Sequence, residues 1–393
     1  MNKKNAIFNS AIVLYFVVCF EILIMISPFA GFFYSAFNPV LLGLAKHPAT
    51  KWLSAFFFTH LLVPPTDLLK FIRIMGSVLF TAGMIVFLVC ALQVYTSKFL
   101  KRGPALKGLY SSIRHPQYGS LAVAGLGLAI LWPRFLVVFL WILMVLVYYL
   151  LARDEERRMQ KQFPEAYKKY MDNSGMILPK RVENLMGFAT PAGKFIGFIV
   201  LFVCAIGGAF LLRSYTVKHL PLWVESNVVA LPIAPDDRPV LAHRMADILS
   251  LPQVSSQLKN NESFLVYVMP VDYVMQGLIG DTGGDWQLYK QHHTARMITD
   301  WVLHPFAHLS GAHNSMHDGS MHSEHGTGAG TVRRMIFLKI SNVAVTRPSD
   351  VFAINAVRTP QFMIDVDVHQ LKILDSKNLP AETAWGKVPT PAF

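Results

Sequence analysis

The stretch Lys107-Gly-Leu-Tyr-Ser-Ser-Ile-Arg-His-Pro-Gln-Tyr118, then an apolar hairpin, then Arg153-Asp-Glu-Glu-Arg-Arg158 and Phe163-Pro-Glu-Ala-Tyr-Lys-Lys-Tyr170 decides how this chain is read. It places polar side chains on both sides of one membrane hairpin. Ionisable residues at such a mouth are costly to desolvate unless they pair or hold a ligand, so their recurrence marks a functional site.

Working outward, five segments meet or approach the roughly 20 apolar residues that a hydrocarbon core about 30 Å thick requires. They are residues 7–27, 72–96, 116–132, 134–152 and 192–213. Lys3 and Lys4 precede the first, but its apolar stretch is too long for a signal peptide and lacks a small-residue cleavage site, so it reads as a retained anchor. Trp52 to Val63 is too short to cross and ends at Pro64-Pro65, which predicts an interfacial or re-entrant segment. Trp132-Pro133-Arg134 suits a tight turn with an interfacial Trp and a snorkelling Arg.

Composition agrees, since 53% of the residues are hydrophobic and only 15% charged. Of the net charge of +12, residues 1–213 carry +14 (22 Lys+Arg, 8 Asp+Glu) and residues 214–393 carry −2 (14 and 16). The basic excess lies beside the bilayer, where it favours anionic lipid headgroups, and no nucleic-acid partner need be invoked. Cys19, Cys90 and Cys204 all fall in apolar runs and imply no disulfide framework. The basic loops fall on one side, which predicts a cytoplasmic N-terminus in an inner membrane of bacterial type and residues 214 onward in the periplasm. A full crossing within residues 28–70 reverses that last placement.

The expected fold is therefore an α-helical membrane bundle of about five transmembrane helices over residues 1–213, followed by a soluble α+β domain over 214–393. In the latter, Arg238–Leu251 and Asp285–His308 read as helices. Ser263–Met269, Arg334–Val345, Val351–Val357 and Phe362–Leu374 read as strands.

At the membrane mouth, Pro116 suits the first turn of a helix whose free amides face the polar pocket and favour a carboxylate-bearing ligand. Glu155 and Glu156 leave the other arm of the hairpin, where they can point back at Arg114 and His115 or at a cationic ligand. Phe163, Tyr167 and Tyr170 then offer an aromatic wall. Arg-His-Pro-x-Tyr, a hydrophobic hairpin, Glu-Glu, Phe-x-x-x-Tyr-x-x-Tyr and the closing Leu178-Pro179 together resemble the isoprenylcysteine carboxyl methyltransferases and the related phospholipid methyltransferases, over about residues 95–180. That resemblance implies an integral membrane enzyme using S-adenosylmethionine. It implies that Tyr110, His115, Tyr118, Glu155, Tyr167 and Tyr170 shape the cofactor pocket, with Arg114 and Glu156 as the catalytic candidates. Two departures touch the pocket: Gly119-Ser120 follows the motif Tyr, and Phe163 is followed by Pro164 where the family has Gly.

Other readings of the same residues stay open. The charged cluster could be a structural ion-pair network, and sterol reductases share a similar motif with a nicotinamide cofactor. Glu21, inside the first apolar run, either faces a substrate cavity or basic partner or is a neutral structural carboxyl.

A second constellation lies downstream. Eight of the 14 histidines fall between His292 and His325, and the loop 310–331 carries Ser315-Met-His-Asp-Gly319 and Ser320-Met-His-Ser-Glu324. Imidazole beside thioether suits copper, with Met favouring Cu(I). The candidate ligands are His304, His308, His313, Met316, His317, Met321, His322 and His325. They give the competing expectation of a non-catalytic, copper-binding subunit or scaffold in a membrane-protein complex, against that of a methyltransferase; a solvated loop whose histidines bind metal only incidentally stays open beside it.

Overall fold

The computed structural model describes residues 44, 47–59, 62–100, 107–187, 190–259, 261–271 and 331–379. The expected span 7–27, Glu21, the helix expected at 285–308 and every proposed metal ligand lie outside the described residues. The chain forms two compact units, the first including 53–58 and 68–213 and the second including 41–52, 59–67 and 214–393.

The first unit is helical: α1 (Asp67–Phe99), α2 (Pro116–Leu131), α3 (Phe135–Gln162), α4 (Pro164–Asn173), α5 (Lys180–Leu185) and α6 (Pro191–Lys218). Among the described residues, α1, α3 and α6 are long and apolar enough to cross a membrane, while α2, with 16 residues, is shorter. At 1.5 Å per residue α2 spans about 24 Å, short of a full hydrocarbon core. This is an integral membrane protein; three spans meet the length, and the count of five rests on α2 and the undescribed first segment.

Small residues let α1 and α2 approach closely. A Cβ on Gly83 would stand 2.6 Å from the Ala124 amide nitrogen, and one on Gly127 2.3 Å from that of Phe80. Both obstacles are backbone and cannot yield. The turn expected at 132–134 does join α2 to α3, and α2 packs beside α3, where the Trp141 indole donates to the Ala122 carbonyl at 2.8 Å.

One expectation on this end of the bundle needs correcting. Arg134 does not snorkel: it is fully buried, its guanidinium 3.8 Å from the Phe56 ring centre and donating to the Ser54 carbonyl. Residues 55–58, within the segment expected to be interfacial or re-entrant, are bonded to the bundle. Phe57 N donates to Pro133 O at 2.9 Å, Phe135 N to Ala55 O at 3.2 Å and Arg213 to the Phe56 carbonyl. The segment is thus pinned by backbone pairing that no hydropathy pattern records.

Among the described residues the second unit is built on one six-stranded sheet in sequential order: β1 (Trp223–Glu225), β2 (Val228–Pro232), β3 (Ser263–Pro270), β4 (Val332–Ser341), β5 (Val357–Asp367) and β6 (Lys372–Asn378). Of these six strands only β2 and β3 run parallel, with the helix α7 (Arg238–Ser250) between them in sequence. The period of two is clean in β3: Phe264, Val266 and Val268 join Leu241, Met245 and Ile248 of α7 on one face, while Leu265, Tyr267 and Met269 enter the core of the other. Two strand expectations change. Val351–Val357 is not a strand before Val357: it opens in a short 3-10 turn (Pro348–Phe352), where the Asp350 carboxylate accepts the amides of Thr346 and Arg347 at 3.2 and 2.8 Å. Phe362–Leu374 breaks between β5 and β6, because Asp367 accepts the amides of His369 and Gln370 at 2.9 and 3.0 Å.

Candidate functional site

The polar end of the α2–α3 hairpin gathers the sequence motif. Tyr110 lies on a 3-10 turn (Gly108–Ser111), His115 caps α2, and Glu155 and Glu156 lie on the polar end of α3. Ser112 to His115 runs beside residues 175–176 as a short parallel pairing: Gly175 N donates to Ser112 O at 3.0 Å, Arg114 N to Gly175 O at 2.8 Å and His115 N to Met176 O at 2.9 Å. The segment after α4 therefore returns across the start of α2.

Side chains complete the cluster. Arg114 Nε donates to Glu156 Oε1 at 2.5 Å, and its Nη1 donates to the Ser174 carbonyl and, at 3.4 Å, to that of Met171. His115 is 3% exposed and stands between both carboxylates, Nδ1 at 3.4 Å from Glu155 Oε2 and Nε2 at 3.5 Å from Glu156 Oε1. Neither contact has the distance and alignment of a conventional hydrogen bond, so both ring nitrogens are buried with bonding capacity left over. Burial alone would hold the imidazole neutral, but its contacts with Glu155 and Glu156 outweigh that and raise its pKa above the usual 6.5.

Aromatic rings wall the cluster. His115 stacks on Tyr118 at 5.7 Å between ring centres, and Tyr118 stacks on Tyr148 at 5.2 Å. The Tyr110 hydroxyl donates to Gln117 Oε1 at 3.0 Å, and Tyr170 donates to the Tyr110 carbonyl. Tyr167 is buried and meets Tyr170 edge-on at 5.9 Å, whereas Phe163 is exposed. Burial raises the phenols of Tyr110, Tyr167 and Tyr170, so all three remain hydrogen-bond donors rather than anions.

Tyr110, Arg114, His115, Tyr118, Glu155, Glu156, Tyr167 and Tyr170 thus assemble at one end of the hairpin. Sequence reading missed Gln117, Tyr148 and Ser174. Tyr148 could have been found, since 148, 152, 155 and 156 follow one helical face; Ser174 carries no such signal. No group of three or more His, Cys, Asp or Glu among the described residues could hold a metal ion.

Residues 74–166 match the phospholipid methyltransferase family. The phospholipid-methyltransferase segment takes in most of α1, all of α2 and α3 and six of the assembled side chains, and stops one residue before Tyr167. It begins earlier than the residue 95 at which the motif reading starts, reaching the close α1–α2 crossing at Gly83. The C-terminal unit lies outside it. No curated protein and no solved structure matches the chain.

Proposed function

We propose that the chain is an integral membrane methyltransferase that uses S-adenosylmethionine and methylates a lipid-associated amine, thiol or carboxylate. The observation that carries this reading is the Arg114–Glu156–His115–Glu155 cluster, gathered around the buried His115 at the polar end of a membrane hairpin inside the phospholipid-methyltransferase segment.

The residues suit the cofactor's chemistry. S-adenosylmethionine brings a cationic sulfonium with a transferable methyl, an amino-acid end and an adenine ring. Glu155 keeps 43% of its side-chain surface and presents a carboxylate to positive charge, while His115 offers two buried nitrogens with unused bonding capacity. The Arg114–Glu156 pair fixes the backbone at the start of α2, whose N-terminal end favours a carboxylate. Tyr118 and Tyr148 supply aromatic faces and exclude water. No side chain needs to act as an acid or base on the cofactor: orientation and desolvation by these groups supply the rate. Membrane lipids are the partners this reading implies, with the basic end of the hairpin on the cytoplasmic side.

Titrating S-adenosylhomocysteine into detergent-purified protein tests it. Saturable binding that is lost in His115→Ala and Glu155→Ala supports the reading. Folded wild-type protein that takes up no ligand sinks it.

A further inference from the structure

Outside the matched segment, one carboxylate holds the chain that closes the site. Glu183 Oε1, on α5, accepts three successive backbone amides: Met176 at 2.7 Å, Ile177 at 3.0 Å and Leu178 at 3.3 Å. The opposite edge of the same segment faces the motif, where Gly175 and Met176 carbonyls accept the amides of Arg114 and His115. The Ser174 carbonyl at its start accepts the Arg114 guanidinium.

We propose that Glu183 is a positioning residue that latches Ser174–Leu178 across Arg114 and His115 and thereby governs retention of the cofactor. The cofactor half of this proposal rests on the methyltransferase reading; the latch itself rests on geometry. Residues 176–178 direct their amides away from the motif, and a single carboxylate oxygen gathers all three. The bend leaves no space to spare: a Cβ on Gly175 would stand 1.8 Å from Leu178 O and 3.0 Å from the Glu183 carboxyl carbon. Lys180, on the same short helix, donates to the Met171 and Asp172 carbonyls and ties the end of α4 to the same corner. Without Glu183 the amides have no fixed acceptor. The segment loosens, and with it the carbonyls that orient Arg114 against Glu156.

Glu183→Ala and Glu183→Gln separate the roles, because glutamine keeps the accepting oxygen and loses only the charge. Two readouts are taken on the full chain: amide hydrogen exchange, and titration with S-adenosylhomocysteine. The expected result for Glu183→Ala is faster exchange confined to residues 112–115 and 174–178, with about tenfold weaker ligand binding. Glu183→Gln restores both to within about threefold of wild type. Unchanged exchange in the alanine variant overturns the latch whatever the ligand does. Loosened exchange with undiminished binding overturns its control of the cofactor. Absence of binding in wild type instead counts against the methyltransferase reading, and the latch then stands or falls on exchange alone.

Discussion

Arg114 and Glu156 keep only 9% and 11% of their side-chain surface, so neither charge can be served by water if its partner leaves. Breaking such a pair from one side costs about 3 kcal/mol, because the surviving charge stays buried. Arg114→Ala and Glu156→Ala should therefore each lower unfolding stability in detergent by about that amount, and the double variant by clearly less than the sum. Additive losses would mean the two do not act as a pair. His115 adds a pH dependence with a defined sign. Its folded pKa is raised above 6.5 by Glu155 and Glu156 against the opposing effect of burial, so the folded state binds its proton more tightly than the unfolded chain. That stabilisation is complete below 6.5 and disappears as pH rises through the folded value. A melting series should show wild type losing stability across this window and His115→Gln not; parallel curves would remove His115 from the account.

At the scale of elements, the α1–α2 crossing is held to backbone distance by Gly83 and Gly127. Gly127→Ala forces a methyl against the Phe80 backbone, and overpacking of this kind costs about 2 kcal/mol. A thermal melt should show the loss, and wild-type stability in that variant would mean the helices can part without penalty. The elements differ in how legible they were. The α2–α3 hairpin and its three-residue turn could be read directly, because long apolar runs leave few alternatives and Pro133 breaks them. Strands β3 and β4 were legible from Val, Ile and Phe in alternation, whereas β1 and β2 were missed because Val228–Pro232 is short and buried throughout. The 351–357 run was misread up to Val357, because Asp350 overrides the β preference of Val351 and Phe352 by capturing nearby amides. The site followed the same division. Arg114, His115, Glu155 and Glu156 announced themselves as charges beside a membrane. The segment 174–178 could not, since its course is set by a glycine and by a carboxylate several residues further on.

For the molecule as a whole, the second unit is not one continuous length of chain. Leu62, far upstream of the sheet in sequence, is 3% exposed within the core that Leu231, Leu265 and Ile336 form on one face. Leu62→Ala should remove about 3 kcal/mol from that unit. Hydrogen exchange should quicken in β2–β5 while α2 and α3 keep wild-type protection; equal change in both units would mean that they unfold together. The sheet has a further consequence for how this protein could be taken apart. Because Pro270 pairs with Arg333, β3 and β4 already meet where residues 272–330 leave and return. A short Asn-Gly turn set between Pro270 and Arg333 would therefore carry the chain from one strand to the other in the register they already hold.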